Sequence, residues 1–280
     1  GSLEAARRYS RGFLDSMRPF LAGDAASLGA PDKAGEAALE GTYLIITAPA
    51  YREAIEPLAQ WKREKGLQVR VATTDETGVA RGQIQSWIGN LYRNDPRPPQ
   101  FVLLVGDIAD VPAFDFHGVV SDLPFVTQEG NDFLPDMLIG RLSVSNESQA
   151  QTGVAKILRH ERDPFRGEGS TGADWMGRAL VVAGNSGSTT PVEVSRWIRR
   201  SLLDDGFSRV DSVYYPPTGG AGVDSIKKRI NLGVSLVTYR GWAYGSEGWD
   251  PPKFLSGNVH GLANGWMLPA VFSFVCLNNR

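Results

Sequence analysis

The sequence is short of several things, and each shortage excludes something. It has one cysteine, Cys276, so no disulfide can form within the chain. A lone thiol is usually a small buried hydrophobe, but it also suits an enzyme that needs a single reactive sulfur. No apolar run approaches the roughly 18 residues that span a bilayer. Charge of one sign is not in excess: 29 Lys and Arg face 31 Asp and Glu, a formal net charge of −2. No overall field therefore draws the protein to nucleic acid or to an anionic membrane. Histidine is scarce, with His117, His160 and His260 the full set. No internal repeat or low-complexity tract is visible. The opening Gly1-Ser2 reads as an expression scar, so localisation is not legible from a leader.

What is present is an ordinary globular composition over 280 residues, enough for one large domain or two small ones and for a sizeable core. Residues 1–40 stand apart. They are rich in Ala, Gly and charge, with one short amphipathic piece around Phe13, Met17 and Phe20, and they read as a connector or the end of a pro-region. From Tyr43 the pattern sharpens. Tyr43 to Ile46, Val69 to Ala72 and Phe101 to Val105 are apolar runs of strand length. Between them lie helical stripes, one over Ile55, Leu58 and Trp61 that stops at Gly66, and one over Ile84, Trp87, Ile88 and Leu91.

The alternation resumes with Met137 to Ile139, then a helix over Ala150, Val154, Ile157 and Leu158. Ala179 to Ala183 is a strand. Thr190 as N-cap and Pro191 in the first turn open a helix over Val194, Trp197, Ile198 and Leu202. Val213 to Tyr215, a short helix over Val223, Ile226 and Ile230, then Ser235 to Tyr239 and Ala270 to Val275 complete the series. Apolar strands alternating with helices predict parallel α/β sheets covered on both faces. The expected architecture is two side-by-side three-layer α/β subdomains, over 41–130 and 131–280, with their boundary between Asp107 and Asp136. Right-handed crossovers bring strand C-termini to one edge, where sites of such sheets lie. Gly106-Asp107, the Gly241 to Trp249 loop and Cys276 are expected at such edges.

Several stretches then match one family in order and spacing. They are Tyr43-Leu-Ile-Ile-Thr47 with the Trp61-Lys62 helix, Leu104-Val-Gly-Asp107 with Val111-Pro112, and Ser121-Asp122. Next come Gly130-Asn-Asp132 through Ile139-Gly-Arg141, His160-Glu-Arg162, Ser235-Leu-Val-Thr-Tyr239, and Leu268-Pro269 leading to Cys276. Together they resemble the catalytic domain of the gingipain-type cysteine peptidases, family C25, extracellular endopeptidases related to caspases in fold. The resemblance implies a caspase-like second subdomain, incomplete at its C-terminus, with Cys276 as nucleophile. A thiolate at a strand end, near backbone N–H groups, is suited to attack a peptide carbonyl.

The family keeps its base as a histidine in a Gly-His-Gly turn. Here the matching turn is Gly241-Trp242-Ala243-Tyr244-Gly245-Ser246-Glu247, one residue longer, with Trp242 at the histidine position. Indole neither accepts nor donates a proton in this pH range. His260, sixteen residues before Cys276, is the first candidate to replace it, against the plainer reading of a surface histidine at a helix end. His117 follows the third strand, and His160 sits at a helix C-terminus, where a cation is favoured. Asp136 occupies the place of the acid that orients the family's histidine, or is a turn aspartate after Pro135. Asp132, Gly241, Trp242 and Tyr244 are expected to line the substrate site.

The resemblance further implies a protein or peptide substrate, an extracellular or cell-surface location and no required cofactor. It allows a structural calcium, although no calcium-loop spacing is visible. Related folds are cut just past the nucleophile, so a second chain following Arg280 is also an expectation. The competing reading within the family is a pseudo-peptidase or transpeptidase-like protein, which the tryptophan favours. From another class, Ala183-Gly-Asn-Ser-Gly-Ser188 lies between a strand and a helix, where phosphates can dock, but it fits neither the Walker nor the dinucleotide fingerprint. Trp242, Trp249 and Trp266 are either a substrate wall or loop packing, and packing is the simpler account.

Overall fold

The apolar runs become eight strands in two four-stranded sheets whose ladders are parallel throughout. The structure, a computed structural model, describes residues 42–130, 132–162, 174–184, 188–215, 222–243 and 247–275. The expected connector over 1–40, Tyr244, Cys276 and Arg280 lie outside these residues.

In the first unit, β1 (Thr42–Thr47) lies between β2 (Gln68–Thr73) and β3 (Pro99–Val105). A small hairpin of β4 (Phe114–Phe116) and β5 (Val119–Ser121) follows. β6 (Leu138–Leu142) then returns to pair with β3, giving the order β2-β1-β3-β6. Successive side chains of a strand point to opposite faces, and the core divides accordingly. Leu44 and Ile46 pack with Ile84 and Ile88 of α3 (Arg81–Asn94), whereas Ile45 packs with Ile55 and Leu58 of α1 (Arg52–Glu64) and Val154 of α4 (Glu147–Glu161). A single turn, α2 (Thr74–Thr77), links β2 to α3. Gly66 ends α1 as expected. At φ +94° its N–H donates to Arg63 O and that of Leu67 to Lys62 O, the pairing that satisfies the last carbonyls of a helix.

One correction follows. The compact units divide between Leu158 and Arg159, not near residue 130. The reason is a non-local pairing. β6 joins β3, with Leu104 opposite Arg141, and carries α4 into the first core. The histidine after the third strand, His117, is a turn residue. At φ +56° it forms with Gly118 (φ +83°) the two-residue link of the β4–β5 hairpin, where both positions need positive φ.

The second unit contains β7 (Arg178–Ala183), α5 (Thr190–Asp204), β8 (Arg209–Tyr214), α6 (Gly222–Asn231) and β9 (Leu236–Arg240). A short hairpin of β10 (Gly248–Trp249) and β11 (Phe254–Leu255) leads into α7 (Ser256–Val259), and β12 (Ala270–Phe274) closes the described chain. The order is β12-β9-β7-β8. Ile226 and Ile230 of α6 cover Leu180, Val182 and Val237 on one face, while Ile198 and Leu202 of α5 cover Ala179 and Val181 on the other. Thr189, not Thr190, is the N-cap of α5, and the Thr190 N–H is taken by Ser188 Oγ at 3.2 Å. Among the described residues β12 pairs with β9 alone, and Val271, Phe272 and Phe274 are each about half exposed. No described helix is long and apolar enough to cross a membrane.

One ion pair ties the first unit's loops to its sheet. Arg141 of β6 donates from Nε and Nη2 to the two oxygens of Asp122, at 2.8 and 2.7 Å. Its Nη1 donates to the carbonyls of Gly106 and Val111, at 2.9 and 2.8 Å. The pair is largely buried, with side-chain exposures of 12% and 21%. Removing one partner of such a pair strands the other charge. Arg141→Ala is therefore expected to lower stability by about 3–5 kcal/mol in denaturant titration. Arg141→Lys should recover only part of this, because an ammonium cannot make the planar two-pronged contact.

Candidate active site

The site follows from one ladder. β9 and β12 are parallel neighbours with Phe274 opposite Arg240, and Arg240 Nη1 donates to Phe274 O at 3.1 Å. Gly241 and Trp242 follow β9. Val275, and in sequence Cys276, follow β12. The two segments thus leave adjacent strands on the same edge.

The turn after β9 is held from beneath by Tyr239, which is fully buried. Its hydroxyl lies 2.9 Å from Trp242 O and 3.0 Å from Pro251 O, as donor, and accepts the Trp242 N–H at 3.2 Å. Trp242 O also accepts the Asp250 N–H at 3.0 Å. The Tyr239 ring stacks on Trp249, centroids 4.3 Å apart and planes 12° apart, and Trp249 packs on Phe254. Trp249 Nε1 donates to Ser273 Oγ of β12 at 2.9 Å. Two glycines make room for this group. A Cβ on Gly241 would collide with the Tyr239 hydroxyl and ring, and one on Gly184 would strike the Pro251 carbonyl.

The three tryptophans divide between packing and surface. Trp249 is buried in this stack, Trp266 lies under the Arg159 guanidinium at 5.3 Å, and Trp242 is half exposed at the rim. Nearby, Tyr215, Gly222, Val223 and the Asp250 to Lys253 loop line a groove of about 290 Å³.

The other sequence-derived candidates have local roles of their own. His260 is the exposed C-cap of α7. The segment after it runs along α6, since the Ala263 N–H donates to Asn231 Oδ1 at the end of that helix leading into β9. That direction is away from the rim that carries Trp242. Asp136 and Asp132 belong to the first unit, where both shape one loop. Asp136 Oδ2 accepts the N–H groups of Gln128 (2.6 Å) and Glu129 (2.9 Å), and Asp132 Oδ1 accepts that of Leu134 at 2.9 Å. Among the described residues no group of three or more His, Cys, Asp or Glu could hold a metal ion, so the calcium the resemblance allows has no such cluster there. Gly184, in the loop considered for phosphate, faces Pro251 O, Tyr239 and Gly241, and residues 185–187 lie outside the described chain.

The model of peptidase family C25 matches residues 36–280. The chain belongs to peptidase family C25. Gingipain R2 of Porphyromonas gingivalis strain W83 is 29% identical over 247 residues, 85% of this chain and 32% of that protein. Lys-gingipain of strain ATCC 33277 is 26% identical over 234 residues, 79% of this chain and 13% of its own length. The crystal structure of the Arg-specific cysteine proteinase gingipain R superposes with a TM-score of 0.77 at 26% identity, covering 87% of this chain and 56% of that one. The chain therefore spans about a third of gingipain R2 and rather more than half of the solved relative. Within this C25 domain, Asp250 and Ser273 are the site residues that sequence reasoning missed, as was the use of the Tyr239 hydroxyl. Its one signal was a tyrosine near the end of an otherwise apolar strand, which needs a partner for its hydroxyl.

Burial pushes the Tyr239 hydroxyl up to about 12, assisted by the nearby Asp250 charge and opposed by its backbone hydrogen bonds. Folding thus favours the protonated phenol. Its contribution is intact below pH 10, where the unfolded phenol titrates, and is lost as pH rises toward 12. Between pH 9 and pH 11 the protein should lose about 1 kcal/mol more stability than its Tyr239→Phe variant in urea titrations. Equal losses would count against this environment for the phenol.

Proposed function

We propose that the chain is the nucleophile-bearing part of a gingipain-like cysteine endopeptidase, acting through the Cys276 thiolate. The observation that carries the reading is the β9–β12 ladder, because it starts the Trp242 turn and the Cys276 segment from adjacent strands. In the reaction the thiolate sulfur bonds to a peptide carbonyl carbon, the C–N bond breaks, and the amine leaves with a proton from a general acid. Water then hydrolyses the thioester and returns the thiol.

Trp242 supplies neither the acid nor the base. In this reading His260 is the candidate base, Asp136 the acid of the family pattern, and Gly241, Trp242, Tyr244 and Asp132 line the substrate site. The substrate is a protein or peptide, the location is extracellular or at the cell surface, and no cofactor takes part. A second reading has its own support. With indole at the histidine position and His260 on a segment running away from the rim, a domain that keeps the thiol but has lost efficient hydrolysis is a pseudo-peptidase or a transfer enzyme.

Alkylation by iodoacetamide separates the two. An active peptidase should alkylate at Cys276 faster than free cysteine at pH 7, with its midpoint below about 8.5. If instead the native thiol is slow and Trp242→His accelerates peptide hydrolysis by about 10²-fold, the scaffold is competent and the pseudo-peptidase reading holds. A thiol no faster than free cysteine in both proteins, with no hydrolysis in either, would defeat the peptidase reading.

A further inference from the structure

The turn that carries residue 242 is held by its backbone, and the group that holds it is the hydroxyl of Tyr239. From this geometry we infer that Tyr239 is a positioning residue. It clamps the Trp242 peptide to the Pro251 loop and, through Trp249 and Ser273, ties both to the strand that ends two residues before Cys276. Its bearing on chemistry rests on the proposed role of Cys276, whereas the clamp itself does not.

The hydroxyl has one proton and lone pairs to accept with, yet three backbone groups converge on it: two carbonyls and one N–H. Trp242 O has a second donor in the Asp250 N–H. Pro251 O has, among the described residues, the hydroxyl alone. The proton is therefore better placed on Pro251 O while the oxygen receives the Trp242 N–H, an arrangement that bridges two loop segments through a single atom. The space around that atom is reserved for it. Gly184 and Gly241 flank it, and a methyl group on either would displace it or its partners. A tyrosine that merely filled the core would need its ring but not these three contacts. The Trp249 indole extends the bridge sideways. It stacks on the same ring and donates to Ser273, so a shift of β12 and a shift of the turn both act on one aromatic pair.

Hydrogen exchange on the whole chain tests the clamp without reference to activity. Tyr239→Phe keeps the ring and its stacking and removes one oxygen. The amides of Trp242 and Asp250 should then exchange about tenfold faster, while those of Val181 and Val237 in the sheet keep their protection. Unchanged exchange at residues 242 and 250 would overturn the inference. So would a uniform loss of protection across the sheet, which is what a packing role alone predicts.

The link to chemistry is read in the Trp242→His background. Adding Tyr239→Phe should cut the gain in hydrolysis from that histidine by about tenfold, mainly in kcat and little in KM. A gain that survives intact would show that the clamp does not position residue 242 for catalysis. If Trp242→His gives no gain at all, residue 242 is not the place of a base, and the exchange result alone decides the clamp. Should Tyr239→Phe not fold, Ser273→Ala breaks the bridge at its far end. The rate of Cys276 alkylation should then change at least threefold, on the order expected for one lost hydrogen bond, and an unchanged rate would overturn the coupling.

Discussion

The second unit depends on the parallel pairing of β9 with β12. Parallel neighbours must be joined by a crossover that returns the chain to the same starting edge. Here the crossover is the β10–β11 hairpin, α7 and the segment running along α6, and it brings the chain back so that Ala270 pairs with Leu236. Once that register is set, the edges of the two strands coincide, and whatever follows Arg240 and Phe274 begins from neighbouring positions. The aromatic bridge lies beneath this edge. It can exist only because Ser273 and Tyr239 are register partners.

Much of the fold was legible because each unit's sheet is buried between helices. A strand covered on both faces must be apolar throughout, and such runs stand out in a sequence where Gly66 ends the first intervening helix. What was not legible depended on pairing between distant segments. Nothing in Met137 to Ile139 says that it joins Phe101 to Val105 and not the strands after it, so the unit boundary was set too early. The hairpins at Phe114 to Ser121 and Gly248 to Leu255 are too short to show a period. Ala270 to Val275 is as apolar as a central strand, and among the described residues it pairs on one side only, with β9.

The first unit gives a physical account of part of the family pattern. Leu104-Val-Gly-Asp107, Val111-Pro112, Ser121-Asp122 and Ile139-Gly-Arg141 are separate motifs in sequence, yet Arg141 bonds to Gly106, Val111 and Asp122 at once. These matched positions fix how a loop returns over the end of β3, which is a folding requirement. Asp136 is similar. Its carboxylate closes the loop from Gln128 to Glu129, so its presence is explained by local structure whether or not it also orients a base. The candidate site residues were thus found by matching, while the reasons for several of them lie in hydrogen bonds to the backbone that the sequence does not display.

That distinction bears on the substitution at the centre of the site. The groups that hold the Gly241-Trp242 turn are the N–H and carbonyl of residue 242, the Pro251 carbonyl and the Tyr239 hydroxyl. None of these contacts uses the side chain at 242, which points to solvent for half of its surface. A turn fixed by its backbone tolerates exchange of its side chain, because the exchange removes no buried partner and opens no cavity. The backbone of this turn therefore places little demand on the side chain at 242. A well-formed C25 domain is for that reason no guarantee, by itself, of the chemistry at this position.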